Sequence, residues 1–425
     1  MAFEFAVPDK IFMGEGALAL AKDTLANLGT HAFIVSGKVV TKTGLVDKLT
    51  DVLDEVGIKW TIFNDITNEP TDKMIEAGVK AYKDAGCDFG IGIGGGSPLD
   101  SVKAILAMTV EEGKISDYNG KVLSGKYPPI VCIPTTAGTG SETTKFTIVT
   151  DTENDIKMLL KGSILPNVAI VDPEFTITAP KSITAATGMD AFTHAVEAYT
   201  SKKASPLTDV FAISAVKRIF KNLPVAYKDG SNKEAREQMS IAAFEAGVCI
   251  NNSTVTIVHG MSRPIGALFH VPHGISNAML IKECLSYVIS GTPERFAALA
   301  VAMGVADESM DIETQASKFT DGIDILCKAC EIPTLEEYGI EVPILIVRKL
   351  IKAVGTSLSK KERNIFKFDI FEDGKAFQFT NYNYFSTEEI YDRERRNAQA
   401  LQQAFEDYLK SENLSERCEE DQHLF

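Results

Sequence analysis

Asp190 and His194 stand four residues apart in TAATGMDAFTHAVEAYT, residues 184–200, where Met189, Ala191, Phe192, Ala195, Val196 and Tyr199 give the apolar pattern of a helix. At i and i+4 a carboxylate and an imidazole project from one helical face, one above the other. A second segment, HGMSRPIGALFHVPHG, carries His259, His270 and His273. Pro264 and Pro272 fall between its outer histidines, so one uninterrupted helix cannot deliver both. Of the six histidines in the chain, four crowd into these two segments. A carboxylate and several imidazoles brought to one point suit a divalent transition metal, and the mixed set leans toward iron or zinc. The plainer reading is a hydrogen-bonded Asp–His pair on a helix surface, and only the rest of the chain can displace it.

Residues 88–104 read DFGIGIGGGSPLDSVKA. Phe89, Ile91 and Ile93 alternate with glycines, as in a short buried parallel strand. Gly94, Gly95 and Gly96 let the backbone approach a ligand closely. Ser97 is a good N-cap and Pro98 a good first residue, which predicts a helix from Leu99 to Met108. Bare N–H groups at such a helix start form an anion site, typically for pyrophosphate. Asp100 and Lys103 lie in its first turns. The G-x-G-x-x-G match at Gly90, Gly92 and Gly95 is not a dinucleotide fingerprint, because Gly90 and Gly92 read as strand interior. A second small-residue loop lies in YPPIVCIPTTAGTGSETTKFTIV, residues 127–149, after a strand from Ile130 to Ile133. Its Thr135, Thr136, Thr139 and Ser141, with Gly138 and Gly140, suit a ribose, a phosphate or a nicotinamide amide. A tight unliganded turn and an ordinary polar loop are the plain alternatives for the two segments.

These features sit in a chain of 425 residues, enough for one large core or two. It is 45% hydrophobic and 24% charged, as soluble globular proteins are. A net charge of −15 without any basic stripe disfavours nucleic acid or an anionic membrane surface as partner. No signal-peptide pattern and no apolar run of ~18 residues is present, so a cytoplasmic location is expected. Seven scattered cysteines argue for reduced thiols, and Cys327 and Cys330 read as packed thiols rather than a redox or zinc pair.

Strand-like runs at 31–37, 59–65, 87–94, 128–134 and 168–173 alternate with helical patterns. That rhythm predicts a parallel sheet with crossover helices. From Pro180 to about residue 340 only helices follow, which sets a boundary near Thr178–Ser182. The expected class is α/β: an N-terminal parallel-sheet nucleotide-binding domain (1–180), then an all-helical metal-binding domain (181–342). In open α/β sheets ligands bind beyond the carboxyl ends of the strands, where both small-residue loops lie.

The order GGGSPLDSVK, PTTAGTGSE, ATGMDAFTHAVEAY, HGMSRPIGALFHVPHG resembles the iron-containing (group III) alcohol dehydrogenases over roughly residues 1–340. The resemblance implies a catalytic metal, iron or alternatively zinc, between the two domains. It implies NAD(P)-linked interconversion of a small primary alcohol or diol with its aldehyde. By the same resemblance Asp190, His194, His259 and His273 are the metal ligands. Gly94, Gly95, Gly96, Ser97 and Asp100 hold the pyrophosphate, Thr135, Thr136, Thr139 and Ser141 line the nicotinamide, and Lys157 reaches its ribose. Phe146 and His270 face the substrate. A homodimer or larger homo-oligomer is expected.

Three departures stand out. Gly37 occupies a position where many relatives carry an acid for the adenosine ribose. With Lys38 and Lys42 nearby, NADP(H) is expected to be accepted, and even preferred, with NAD(H) still usable. Arg263 replaces a histidine of many relatives, which leaves His270 as the catalytic proton carrier. Residues 343–425, with FQFTNYNYF and an acidic helix-like end, match nothing in the family pattern. A glycerol-dehydrogenase-like or dehydroquinate-synthase-like relative would carry other metal ligands, and a non-catalytic member of the fold is the remaining alternative.

Overall fold

The structure, a computed structural model, describes residues 2–340 other than 68, 155 and 270. His270 and the segment 343–425 therefore lie outside the described residues.

The strands are β1 (Lys10–Met13), β2 (His31–Val35), β3 (Lys59–Phe63), β4 (Phe89–Gly94), β5 (Val122–Leu123), β6 (Ile130–Pro134), β7 (Phe146–Asp151), β8 (Ile156–Gly162) and β9 (Val168–Val171). Six of them form one sheet in the order β1-β9-β6-β4-β2-β3, and every pairing in it is parallel. The chain runs outward from β2 to β3, then returns to the other side of β2 as β4. That reversal between β2 and β4 is a topological switch point, and it opens a crevice at the carboxyl ends of both strands. Gly90 and Gly92 are interior to β4, where added side chains would strike Val102 and Leu106.

The helices before the last strand are α1 (Ala17–Leu20), α2 (Lys22–Leu25), α3 (Lys38–Lys42), α4 (Leu45–Glu55), α5 (Asp72–Ala85) and α6 (Gly96–Met108). From Leu99 to Met108, only Asp100 of α6 is not buried. The reason is its position: the main sheet covers one side and a second sheet, β5-β8-β7, covers the other. That second sheet is not foreseen from sequence, where residues after Thr135 read as a loop. The β7–β8 hairpin nevertheless shows the alternating burial of a one-sided strand in Phe146–Asp151. β1 is likewise unforeseen; four residues, mostly exposed or half-buried, leave little pattern.

After Val171 only helices follow among the described residues: α7 (Lys181–Thr200), α8 (Pro206–Lys228), α9 (Lys233–Asn252), α10 (Ile257–Phe269), α11 (His273–Val288), α12 (Pro293–Met303) and α13 (Ile312–Ala329). α7 is the centre of this bundle and is buried almost continuously from Thr184 to Tyr199. α8, α9, α10 and α11 pack around it. A polar side chain buried in that stretch is removed from water and needs a partner. Cys330 is buried and Cys327 half-buried at the end of α13, both as free thiols. Among the described residues no single helix is long and apolar enough to cross a membrane.

Candidate metal and dinucleotide site

Asp190, His194 and Glu197 lie at i, i+4 and i+7 on one face of α7, within its buried stretch. His259 comes from α10, and His273 is the first residue of α11, directly after Pro272 as N-cap. α10 continues through Pro264 to Phe269, and α11 starts only after Pro272. His273 reaches α7 because Gly274 follows it: a Cβ there would lie 2.0 Å from the carbonyl oxygen of Ala186.

The four side chains converge. Nε2 of His194, His259 and His273 lie 3.8, 3.7 and 3.6 Å from Asp190 Oδ1. Ligand atoms of Asp190, His259 and His273 all lie within 4.8 Å of one another. His194 flanks this group, its ring stacked on that of His259 at 4.8 Å between centroids. Asp190, His194 and His259 are buried, while the His273 side chain is 38% exposed and marks the open side.

Burial alone raises the Asp190 pKa, but the surrounding histidines outweigh it and hold the carboxyl well below its usual range. Burial also depresses His273 to about 3 and lowers His194, leaving both neutral near pH 7. Neutral imidazoles and an ionised carboxylate are the states a metal takes as ligands. Two bonds of ~2.1 Å to one ion hold their ligand atoms about 3.4–3.6 Å apart. The observed 3.6–3.8 Å separations and the donor chemistry therefore fit a first-row divalent ion. In addition, Nδ1 of His194 is buried without a hydrogen-bond partner.

Two supporting residues are missing from the sequence reading. Glu197 accepts from Nδ1 of His259, from Thr256 Oγ1 at 2.7 Å and from the Val258 amide at 2.6 Å. This fixes the His259 tautomer and turns Nε2 toward Asp190. Burial pushes the His259 pKa down, but Glu197 and Asp190 reverse that and raise it. The second residue is Asn277, one turn after His273. Its Nδ2 donates to Asp190 Oδ1 at 2.8 Å and lies 3.2 Å from His259 Nε2. Their spacings, i+7 from Asp190 and i+4 from His273, are the only sequence signal either residue carries.

The nucleotide-type loops sit at the switch point. α6 begins at Gly96, with Gly95 as N-cap and no side chain capping it. Ser97 therefore lies inside the first turn rather than at the cap, a correction to the predicted start at Leu99. The first N–H groups are left without side-chain partners, as an anion site needs. The loop after β6 lies against these glycines: a Cβ on Gly96 would meet Thr139 at 2.9 Å, and one on Gly95 would meet Thr136 at 3.5 Å. The Thr135 amide donates to the Gly94 carbonyl at 2.8 Å. The same loop touches the metal helix, since a Cβ on Gly138 would lie 2.3 Å from Thr187 Cβ.

Asp100 is committed to the protein itself. Its Oδ1 accepts from Ser141 Oγ at 2.5 Å and its Oδ2 from the Ile148 amide at 3.0 Å. The wholly buried ammonium of Lys103 donates to the Ser141 carbonyl at 2.5 Å, Ser141 Oγ at 2.8 Å and the Phe146 carbonyl at 2.9 Å. Asp100 and Lys103 thereby bolt α6 to the second loop and to β7. Phe146 opens β7 half-buried, and Lys157, on β8, is paired with Glu69 at 2.5 Å. Gly37 caps α3 at the end of β2, beside Asp65.

Comparison with known proteins agrees with this arrangement. The family model for iron-containing alcohol dehydrogenase matches residues 8–173, and the C-terminal model of the Fe-containing alcohol dehydrogenase family matches residues 184–356. The 1,3-propanediol dehydrogenase of Klebsiella pneumoniae is 38% identical over 345 residues, 80% of this chain and 89% of that protein. The crystal structure of a 1,3-propanediol oxidoreductase superposes with a TM-score of 0.80 at 36% identity, covering 83% of this chain and 94% of that one. A sulfoacetaldehyde reductase from Bifidobacterium kashiwanohense, solved in complex with NAD+, gives a TM-score of 0.75 at 30% identity over 82% of this chain and 92% of that one.

Proposed function

The chain belongs to the iron-containing alcohol dehydrogenase family and is a metal-dependent, nicotinamide-linked alcohol dehydrogenase; from that premise we propose how its own residues carry the reaction. Asp190, His194, His259 and His273 hold the metal, iron with zinc as the alternative. The observation that carries this is the convergence of three imidazole Nε2 atoms on one carboxylate oxygen. Bound there, the ion supplies Lewis acidity toward an alcohol or carbonyl oxygen. Glu197 and Asn277 orient the ligands. The uncapped start of α6 at Gly95, Gly96 and Ser97 binds the pyrophosphate, with Gly94 giving close approach. Thr135, Thr136, Thr139 and Ser141 line the nicotinamide, which is the hydride carrier. Asp100 serves this site by positioning Ser141 rather than by touching phosphate.

The substrate we propose is a small primary alcohol or short diol, as the name of the Klebsiella relative suggests. Its oxygen enters on the His273 side, the exposed edge of the cluster, with Phe146 beside it and His270 moving the proton. The protein works in the cytoplasm as a homodimer or larger homo-oligomer, without nucleic acid or membrane partners. A panel of primary alcohols, diols and aldehydes, run on iron-loaded protein with both NAD(H) and NADP(H), tests the reading. Turnover of short primary alcohols or diols supports it; a panel in which only bulky or secondary alcohols react overturns the substrate assignment.

A further inference from the structure

We infer that Asp65, paired with Lys38, selects the nicotinamide cofactor and supplies the carboxylate that Gly37 lacks. The inference rests on the proposed dinucleotide site and adds a specificity residue to it.

The sheet runs β6-β4-β2-β3, all parallel, so their carboxyl ends share one edge. The loop after β6 is the nicotinamide side and the turn after β4 is the pyrophosphate side. A dinucleotide continuing along that edge reaches the end of β2 with its adenosine ribose and the end of β3 beyond it. At the end of β2 stands Gly37, which offers no side chain. It forms an isolated antiparallel bridge with Asp65, just past the end of β3. Asp65 Oδ1 lies 3.1 Å from Lys38 Nζ, and both side chains are more than half exposed. The acceptor that a ribose 2′-OH needs and the cation that a 2′-phosphate needs are thus joined across one turn.

The two cofactors meet this pair differently. A 2′-OH donates to Asp65 and leaves the ion pair intact. A 2′-phosphate must take Lys38 from Asp65 while its own charge is repelled by the carboxylate. The pair therefore favours NAD(H), reversing what Gly37, Lys38 and Lys42 suggest by themselves. An ion pair this exposed adds little to folding stability, so both residues can be replaced in a folded protein. Gly37 is the poorer position to probe, because a Cβ there would stand 3.0 Å from the Ile66 carbonyl oxygen.

The test is equilibrium titration of the full-length protein with NADH and with NADPH, alongside kcat/KM for each. Binding is read by energy transfer from the single tryptophan, Trp60 on β3, to the bound nicotinamide. Wild type should bind NADH at least tenfold more tightly than NADPH. Asp65→Asn and Asp65→Ala should each cut that ratio threefold or more, and Lys38→Ala should weaken NADPH while NADH stays within twofold. A wild type that prefers NADPH, or a ratio that changes less than threefold in both Asp65 variants, overturns the inference alone. Failure of wild type to bind either nucleotide overturns it together with the proposed function.

Discussion

At the scale of single residues, the site depends on which charges burial allows. Glu197 is wholly buried, and His259 with two further donors holds it ionised despite that burial. Replacing it by Gln keeps the shape and removes the charge that orients His259. A metal affinity lower by about 10- to 100-fold is expected, as is common when the partner of a ligating histidine is changed; chelator competition measures it, and unchanged affinity would count against the role. Glu142 behaves in the opposite way, because burial outweighs its backbone hydrogen bond and the nearby Lys103 charge and pushes its pKa from 4.5 up to about 7. The folded state then holds a proton that the unfolded chain releases above about pH 4.5. Stability should accordingly fall as pH rises from about 4.5 to about 7, by up to about 3 kcal/mol at 1.36 kcal/mol per unit. Glu142→Gln should remove that slope, so urea unfolding at pH 5 and pH 8 should show a smaller loss in the variant; parallel losses would refute the assignment. The four metal-type residues were legible because Asp and His at helical spacing are rare and chemically pointed. Glu197 was not, since a glutamate on a helix reads as solvated until α7 is seen to be buried on every side.

At the scale of elements, close backbone approach sets the geometry. α11 crosses α7 at Gly274, where a Cβ would lie 2.0 Å from the Ala186 carbonyl oxygen. Gly274→Ala must push the start of α11 away, carrying His273 from Asp190. A stability loss of about 2 kcal/mol or more together with reduced metal content is the expected result of thermal unfolding and metal analysis. A variant with both properties intact would show that the crossing can relax without cost to the site. The helices and the central strands were readable from local periodicity and from the glycine and proline punctuation around them. The start of α6 was misread because Ser97 and Pro98 look like a cap and first turn, whereas Gly95 takes the cap position. The β7–β8 hairpin was hidden behind the hydroxyl-rich loop before it, although its alternation is plain once its pairing is known.

At the scale of the whole molecule, the site exists because a sheet edge and a buried helix meet through small residues. Gly138 lies on Thr187 of α7, and Gly140 lies on Gly247 of α9. Lys103 and Asp100 fix the same loop to α6. Such contacts join residues far apart in the chain, so sheet order and loop contacts could not be read locally; only family-level motifs foretold that the two halves share one centre. The most direct test of that centre is the metal content of full-length protein reconstituted with ferrous iron without oxygen, wild type against His259→Ala, with circular dichroism confirming that both are folded. A centre that depends on His259 holds a single tightly bound ion per wild-type chain and almost none in the variant. A folded His259→Ala protein that retains a full complement of iron would contradict it.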